Sequence, residues 1–145
     1  MNLRVKIKRL KESLEIPRYT KLDGSGFDLI AAEDIIIWPG ETKVVPTGLA
    51  FEIPPGYELQ VRPHIEISSR TKLRVVLETV YSGYSEEVGV IVDNIERTLG
   101  TNMKAHVIER GTCIARGVIV PIEMANFVEV KKLSDSKDGT SRTSY

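Results

Sequence analysis

The chain carries one cysteine, Cys113, and two histidines, His64 and His106. A thiol of pKa about 8.5 is only a few per cent thiolate at pH 7, and a neighbouring imidazole activates it by taking the proton. Cys113 with His64 is therefore the minimum constellation for acyl transfer, and no other pair in the chain supplies both nucleophile and base. A third group that orients the imidazole completes such a site, and Glu66 and Glu78 are the candidates. Tyr84, Ser85 or backbone N–H groups could serve an oxyanion. Ile65 and Tyr81 offer apolar surface to a small ester or aromatic substrate.

The same residues fit a plainer reading. A lone cysteine in a β-protein is commonly a small buried hydrophobe, His64 can be a polar group on a cleft wall, and His106 in NMKAHVIE reads as a strand surface residue. One cysteine and two histidines lack the spacing of a zinc site, and the glutamates near His64 follow no ligand rule. No metal or other cofactor is expected. Strand alternation adds a constraint: Cys113 and Arg116 differ in parity, so a regular strand points only one of them into a given cleft.

Strands must position these groups, because the hydrophobic period is two almost everywhere. Leu3, Val5 and Ile7 alternate with Arg4, Lys6 and Lys8; Tyr57, Leu59 and Val61 alternate with Glu58, Gln60 and Arg62; Val88, Val90 and Val92 share a third face. DGSG, PGET, PPGY and RGT punctuate the strands with turn chemistry. No stretch of ten or more residues shows a helical face, so the expectation is an all-β sandwich or jelly-roll-like barrel of about ten short strands. With 145 residues the chain is one domain. Residues 134–145, SDSKDGTSRTSY, contain no aliphatic hydrophobe and read as a flexible arm after a β domain ending at Leu133.

Twenty basic and twenty acidic residues cancel, which disfavours nucleic-acid and membrane partners. The N-terminus MNLRVKIKRL alternates charge with hydrophobe instead of building a signal-peptide core, so a cytoplasmic protein is expected.

Four stretches in order, PRYTKLDGSGFDLIAAEDIIIWPGETKVVPTGLAFEIPPGYELQVRP, VYSGYSEEVGVIV, RGTCIARGVIVPI and NFVEVKKL, resemble the trimeric dUTP pyrophosphatase (dUTPase) family. The resemblance includes the family's first motif at Gly26, Phe27, Asp28 and Leu29, and it spans nearly the whole chain. It implies a β jelly-roll homotrimer with active sites in clefts between subunits, each closed by a neighbour's C-terminal arm.

The functional motifs depart from that pattern. The second runs Pro-Arg-Ser-Gly in the family, its arginine and serine holding phosphate; here it reads Pro63, His64, Ile65, Glu66. Glu78, Tyr81, Ser85 and Glu86 replace, in order, the third motif's first glycine, its water-activating aspartate and its Arg-Gly pair, and Tyr84 keeps the sugar-packing tyrosine. The fourth becomes Gly111, Thr112, Cys113, Ile114, Ala115, Arg116, and the glycine-rich fifth survives only as KDGTSRTSY.

Loss of a general base costs roughly 10²–10⁴ in rate, and a carboxylate about 4 Å from phosphate repels it by ~1 to ~4 kcal/mol. Glutamates replacing glycines cost about 1–2 kcal/mol each where the backbone needs positive φ. Because the departures gather in one cleft, the expectation is a redesigned or diverged site. It would lack dUTPase activity, need no magnesium, and hydrolyse an activated ester through Cys113 and His64. An inert trimeric scaffold or binding module, and residual deoxyuridine nucleotide binding through Asp28 and Tyr84, are the alternatives.

Overall fold

The computed structural model describes residues 3–19, 26–97 and 103–135. Most of the predicted arm, residues 136–145, lies outside them, as does most of the DGSG turn.

The alternation seen in the sequence resolves into two four-stranded sheets. One has the order β1 (Lys6–Arg9), β4 (Thr42–Glu52), β8 (Glu87–Asn94), β6 (Leu73–Val75). The other has the order β2 (Phe27–Ile30), β10 (Cys113–Pro121), β5 (Tyr57–Pro63), β7 (Glu78–Tyr81). A two-stranded pair, β3 (Ile35–Ile37) with β9 (His106–Ile108), completes the strands among the described residues. All pairings are antiparallel, and the architecture is the expected all-β, jelly-roll-like one.

The inward faces meet in a single core. Leu29, Leu59 and Val61 from one sheet and Val45, Val88, Val90 and Val92 from the other are buried together. Each such side chain contributes about 1.5–3 kcal/mol by leaving water. PPGY and RGT do turn, over Gly56 at φ +85° and Gly111 at φ +91°, a backbone region that costs only glycine nothing.

Two departures from regular strands matter for function. Strand β10 buries both Ile114 and Ala115, which strict alternation forbids. Its register against β2 explains this: Cys113 pairs with Ile30, Ala115 with Leu29 and Arg116 with Asp28, leaving Ile114 as the extra residue of a β-bulge. The second departure is a six-residue helix, α1 (Ile65–Arg70), following β5. His64 caps it, Nδ1 accepting from the Glu66 N–H at 3.3 Å, with Glu66 in the first turn and Arg70 in the last. It is too short to show a helical face in sequence.

Beyond β10, residues 122–135 form neither helix nor strand, and their apolar side chains face outward: Phe127 is 93% and Leu133 80% exposed. Among the described residues no helix is long and apolar enough to cross a membrane.

A candidate site divided between two ends of one sheet

The residues singled out in the sequence fall into two groups. The first surrounds Asp28. Asp28 on β2, Arg116 on β10 and Arg62 on β5 lie side by side across three strands, so all three project from the same face. The bulge at Ile114 shifts parity by one and brings Cys113 onto that face too, correcting the expectation that Cys113 and Arg116 must point apart. His64 follows Pro63, which pairs with Ala115. One ligand-type atom each from Asp28, His64 and Cys113 lies within 4.8 Å of the others. Asp28 also lines a cavity of about 460 Å³ with Arg18 and Arg110.

The second group lies at the β7–β8 connection. Tyr81 ends β7, exposed, with its ring edge-to-face to Tyr84 at 6.2 Å. The turn between them is closed by the Tyr84 N–H donating to the Tyr81 carbonyl at 3.2 Å, and the Tyr84 hydroxyl donates to the Glu87 carbonyl at 3.0 Å. Ser85 and Glu86 are exposed in the loop. Glu78, Tyr81, Tyr84 and Glu87 line a cavity of about 450 Å³ between the two strands. Consecutive strands would ordinarily pair as a hairpin, but β7 and β8 belong to different sheets, so the hairpin is splayed and the cavity opens between them. Glu87 and Thr79, which also line it, were not legible as site residues because each reads as an ordinary polar position on a strand.

Within one chain Tyr81 and His64 do not meet, although Glu78 pairs with Val61, the neighbour of Arg62. Tyr81 pairs with Glu58 at one end of β5, and His64 lies past the other end. Six residues of extended chain separate them by roughly 20 Å.

The structure gives Cys113 an environment unlike that of an activated nucleophile. Burial, then the charge and hydrogen bond of Asp28, push its thiol up to about 11, outweighing the backbone hydrogen bonds that pull the other way. Only on the order of one molecule in ten thousand is then thiolate at pH 7. His64 is spoken for as well: Nδ1 accepts the Glu66 N–H, so the neutral ring carries its proton on Nε2 and has no free lone pair for the thiol. The Glu66 carboxylate does not orient the ring, since the contact is through its backbone, and Glu78 lies in the other group. Ile65 is 76% exposed on α1, and Ser85 belongs to the other group, between β7 and β8. Among the described residues no non-glycine has positive φ, so Glu66, Glu78 and Glu86 carry none of the expected strain.

A two-sheet β fold with a splayed hairpin cavity and a charged three-strand face defines a β-sandwich class. Comparison with known proteins makes it specific. The dUTPase family model matches residues 12–145, and this chain belongs to the dUTPase family. A deoxyuridine 5'-triphosphate nucleotidohydrolase of Nautilia profundicola is 38% identical over 94% of this chain and 94% of its own length. One of Thermobifida fusca is 40% identical over 94% of this chain and 75% of its own. Among solved structures, a dUTPase from phage phi11 of S. aureus covers 90% of this chain and 98% of its own, with TM-score 0.77 at 23% identity. A Staphylococcus bacteriophage 80alpha dUTPase solved with dUpNHpp covers 98% and 97%, with TM-score 0.79 at 23% identity.

These relatives overturn the expectation of a cleft redesigned for cysteine-dependent ester hydrolysis with dUTPase activity lost. Relatives 34–40% identical over 93–96% of the chain carry the nucleotidohydrolase name. Arg116, a cleft residue of the fourth motif, stands in register with Arg62 beside Asp28, which adds positive charge to that face.

Proposed function

We propose that this chain is a deoxyuridine 5'-triphosphate nucleotidohydrolase acting as a homotrimer, cleaving dUTP with water to dUMP and pyrophosphate. The observation that carries this reading is the cavity between β7 and β8, taken with the name its relatives bear. β7 ends its sheet, and among the described residues no strand pairs with its outer edge. Alternate backbone N–H and C=O groups on that edge point away from β5. A flat pyrimidine whose edge alternates acceptor, donor and acceptor can complete that ladder as a further strand would. A backbone carbonyl opposite the uracil N3–H is left unpaired by cytosine, the kind of mismatch that discriminates strongly. Tyr84, held by Glu87, places a ring at the mouth to pack on the sugar.

The triphosphate needs positive charge, and the cavity wall carries Glu78 and Glu87 instead. The Arg116–Arg62 row beside Asp28 suits it, and Arg62 lies four residues along β5 from Glu58, the partner of Tyr81, roughly 13 Å away in the same chain. A neighbouring subunit can bring that face to the Tyr84 cavity, which supports a site assembled between chains. The outward apolar side chains of residues 122–133 supply surface for such an assembly. Magnesium enters as part of the substrate, Mg·dUTP, and no resident magnesium site is proposed.

The test is product analysis with the purified chain and Mg·dUTP, Mg·dCTP or Mg·dTTP. Release of dUMP and pyrophosphate from dUTP in preference to the others is expected, with Tyr84→Ala raising KM. Absence of dUMP above the buffer rate from folded protein would refute the reading.

A further inference from the structure

We propose that Asp28, His64 and Cys113 form a binding site for a divalent transition-metal ion of the zinc class, with one coordination position open. All three ligands come from one chain, so the site needs no assembly between subunits, although Asp28 also belongs to the face proposed for the nucleotide.

The backbone places the ligands. Asp28 and Cys113 project from adjacent strands, β2 and β10, and His64 approaches from the end of β5 on the other side of β10. The bulge at Ile114 is what turns Cys113 to the side of Asp28; a regular strand would send the thiol to the opposite face. The three donor atoms already lie within 4.8 Å of one another. Around a tetrahedral ion with bonds of about 2.0–2.3 Å, neighbouring donors are separated by roughly 3.3–3.8 Å. Side-chain adjustments of about 1 Å close the site without moving a strand.

Donor chemistry sets the class of ion. Thiolate and imidazole favour zinc and cobalt over magnesium and calcium, which take all-oxygen sets. The charges also balance. A thiolate and a carboxylate neutralise a dication, so Arg116, which shares the face, meets a neutral centre. Three protein ligands leave a fourth position for water or a ligand oxygen, as in open zinc sites. Coordination by His64 exchanges its 3.3 Å bond from the Glu66 N–H for a metal bond, releasing the cap of α1. All three ligands are half-buried, so an ion can enter from solvent.

The probe is Co²⁺, titrated into chelator-treated full-length protein. One ion per chain is expected, with a sulfur-to-cobalt charge-transfer absorption in the near ultraviolet. Cys113→Ser should remove that absorption, His64→Gln should weaken binding at least about 10-fold, and His106→Gln should change neither. In the unaltered chain one equivalent of Zn²⁺ should displace the cobalt and slow alkylation of Cys113, a readout that needs no variant to fold. Failure to bind cobalt stoichiometrically, an absorption that survives Cys113→Ser, or alkylation unaffected by zinc would each overturn the site.

Discussion

Cys113 shows what a residue's type conceals. Its identity suggested a nucleophile, while its surroundings, half burial and the Asp28 carboxylate, hold it protonated. Alkylation of the metal-free protein should therefore rise with pH from about 9 through about 11, following the folded thiol, and should be slow at pH 7. Asp28→Asn should move that profile downward without bringing it to 9.0, because burial, the larger cause, remains. A profile centred at or below 8 in the parent would contradict this environment. The linkage has a definite sign. The folded pKa lies above the unfolded one, so this group leaves stability unchanged below about pH 9 and lowers it as pH rises from 9 through 11. None of this was legible in the sequence, since Asp28 and Cys113 lie far apart along the chain and become neighbours only through the β2–β10 register. Tyr84 stood out in the sequence through the family resemblance, and its ring lines the β7–β8 cavity.

Among the elements, period-two patterning marked β5 and β8 clearly, because each buries alternate, mostly aliphatic residues, whereas β1 turns only Ile7 toward the core. The bulge was hidden for a physical reason: the inserted residue, Ile114, is as apolar as the core it joins, so the sequence carries no polar interruption. The splayed β7–β8 hairpin was hidden too, since sequence adjacency suggests pairing and the strands instead join different sheets. β10 holds the charged row in place by packing closely on β2. A Cβ added at Gly117 would meet the Phe27 ring at 2.5 Å, and Phe27 is buried. Gly117→Ala should therefore destabilise by about 1–3 kcal/mol through overpacking, read as a lower thermal midpoint. A double variant that also trims Phe27 to Leu should recover part of the loss. An unchanged midpoint for Gly117→Ala would show that the strand contact is looser than described.

At the scale of the whole molecule, the sequence's resemblance implied an assembly, and the structure supplies reasons for one. Phe127 at 93% and Leu133 at 80% exposure are costly to leave in water together on a single chain. Phe127→Asp with Leu133→Asp should shift the species seen by sedimentation from trimer toward monomer and reduce dUTP turnover in parallel; a double variant that remained trimeric would remove this segment from the interface. On the proposed reading, Tyr84 and Asp28, which stand at different ends of one sheet, serve the same substrate from different subunits. This is most directly tested by mixing Tyr84→Ala and Asp28→Asn chains, each poorly active alone, through reversible denaturation and measuring dUMP release. In a cyclic trimer every mixed assembly contains one junction with both native halves, so random equimolar mixing restores about a quarter of the parent's sites. Recovery near that fraction is the predicted result. Activity no greater than the average of the two variants, from mixed trimers confirmed by mass, would contradict a site built between subunits.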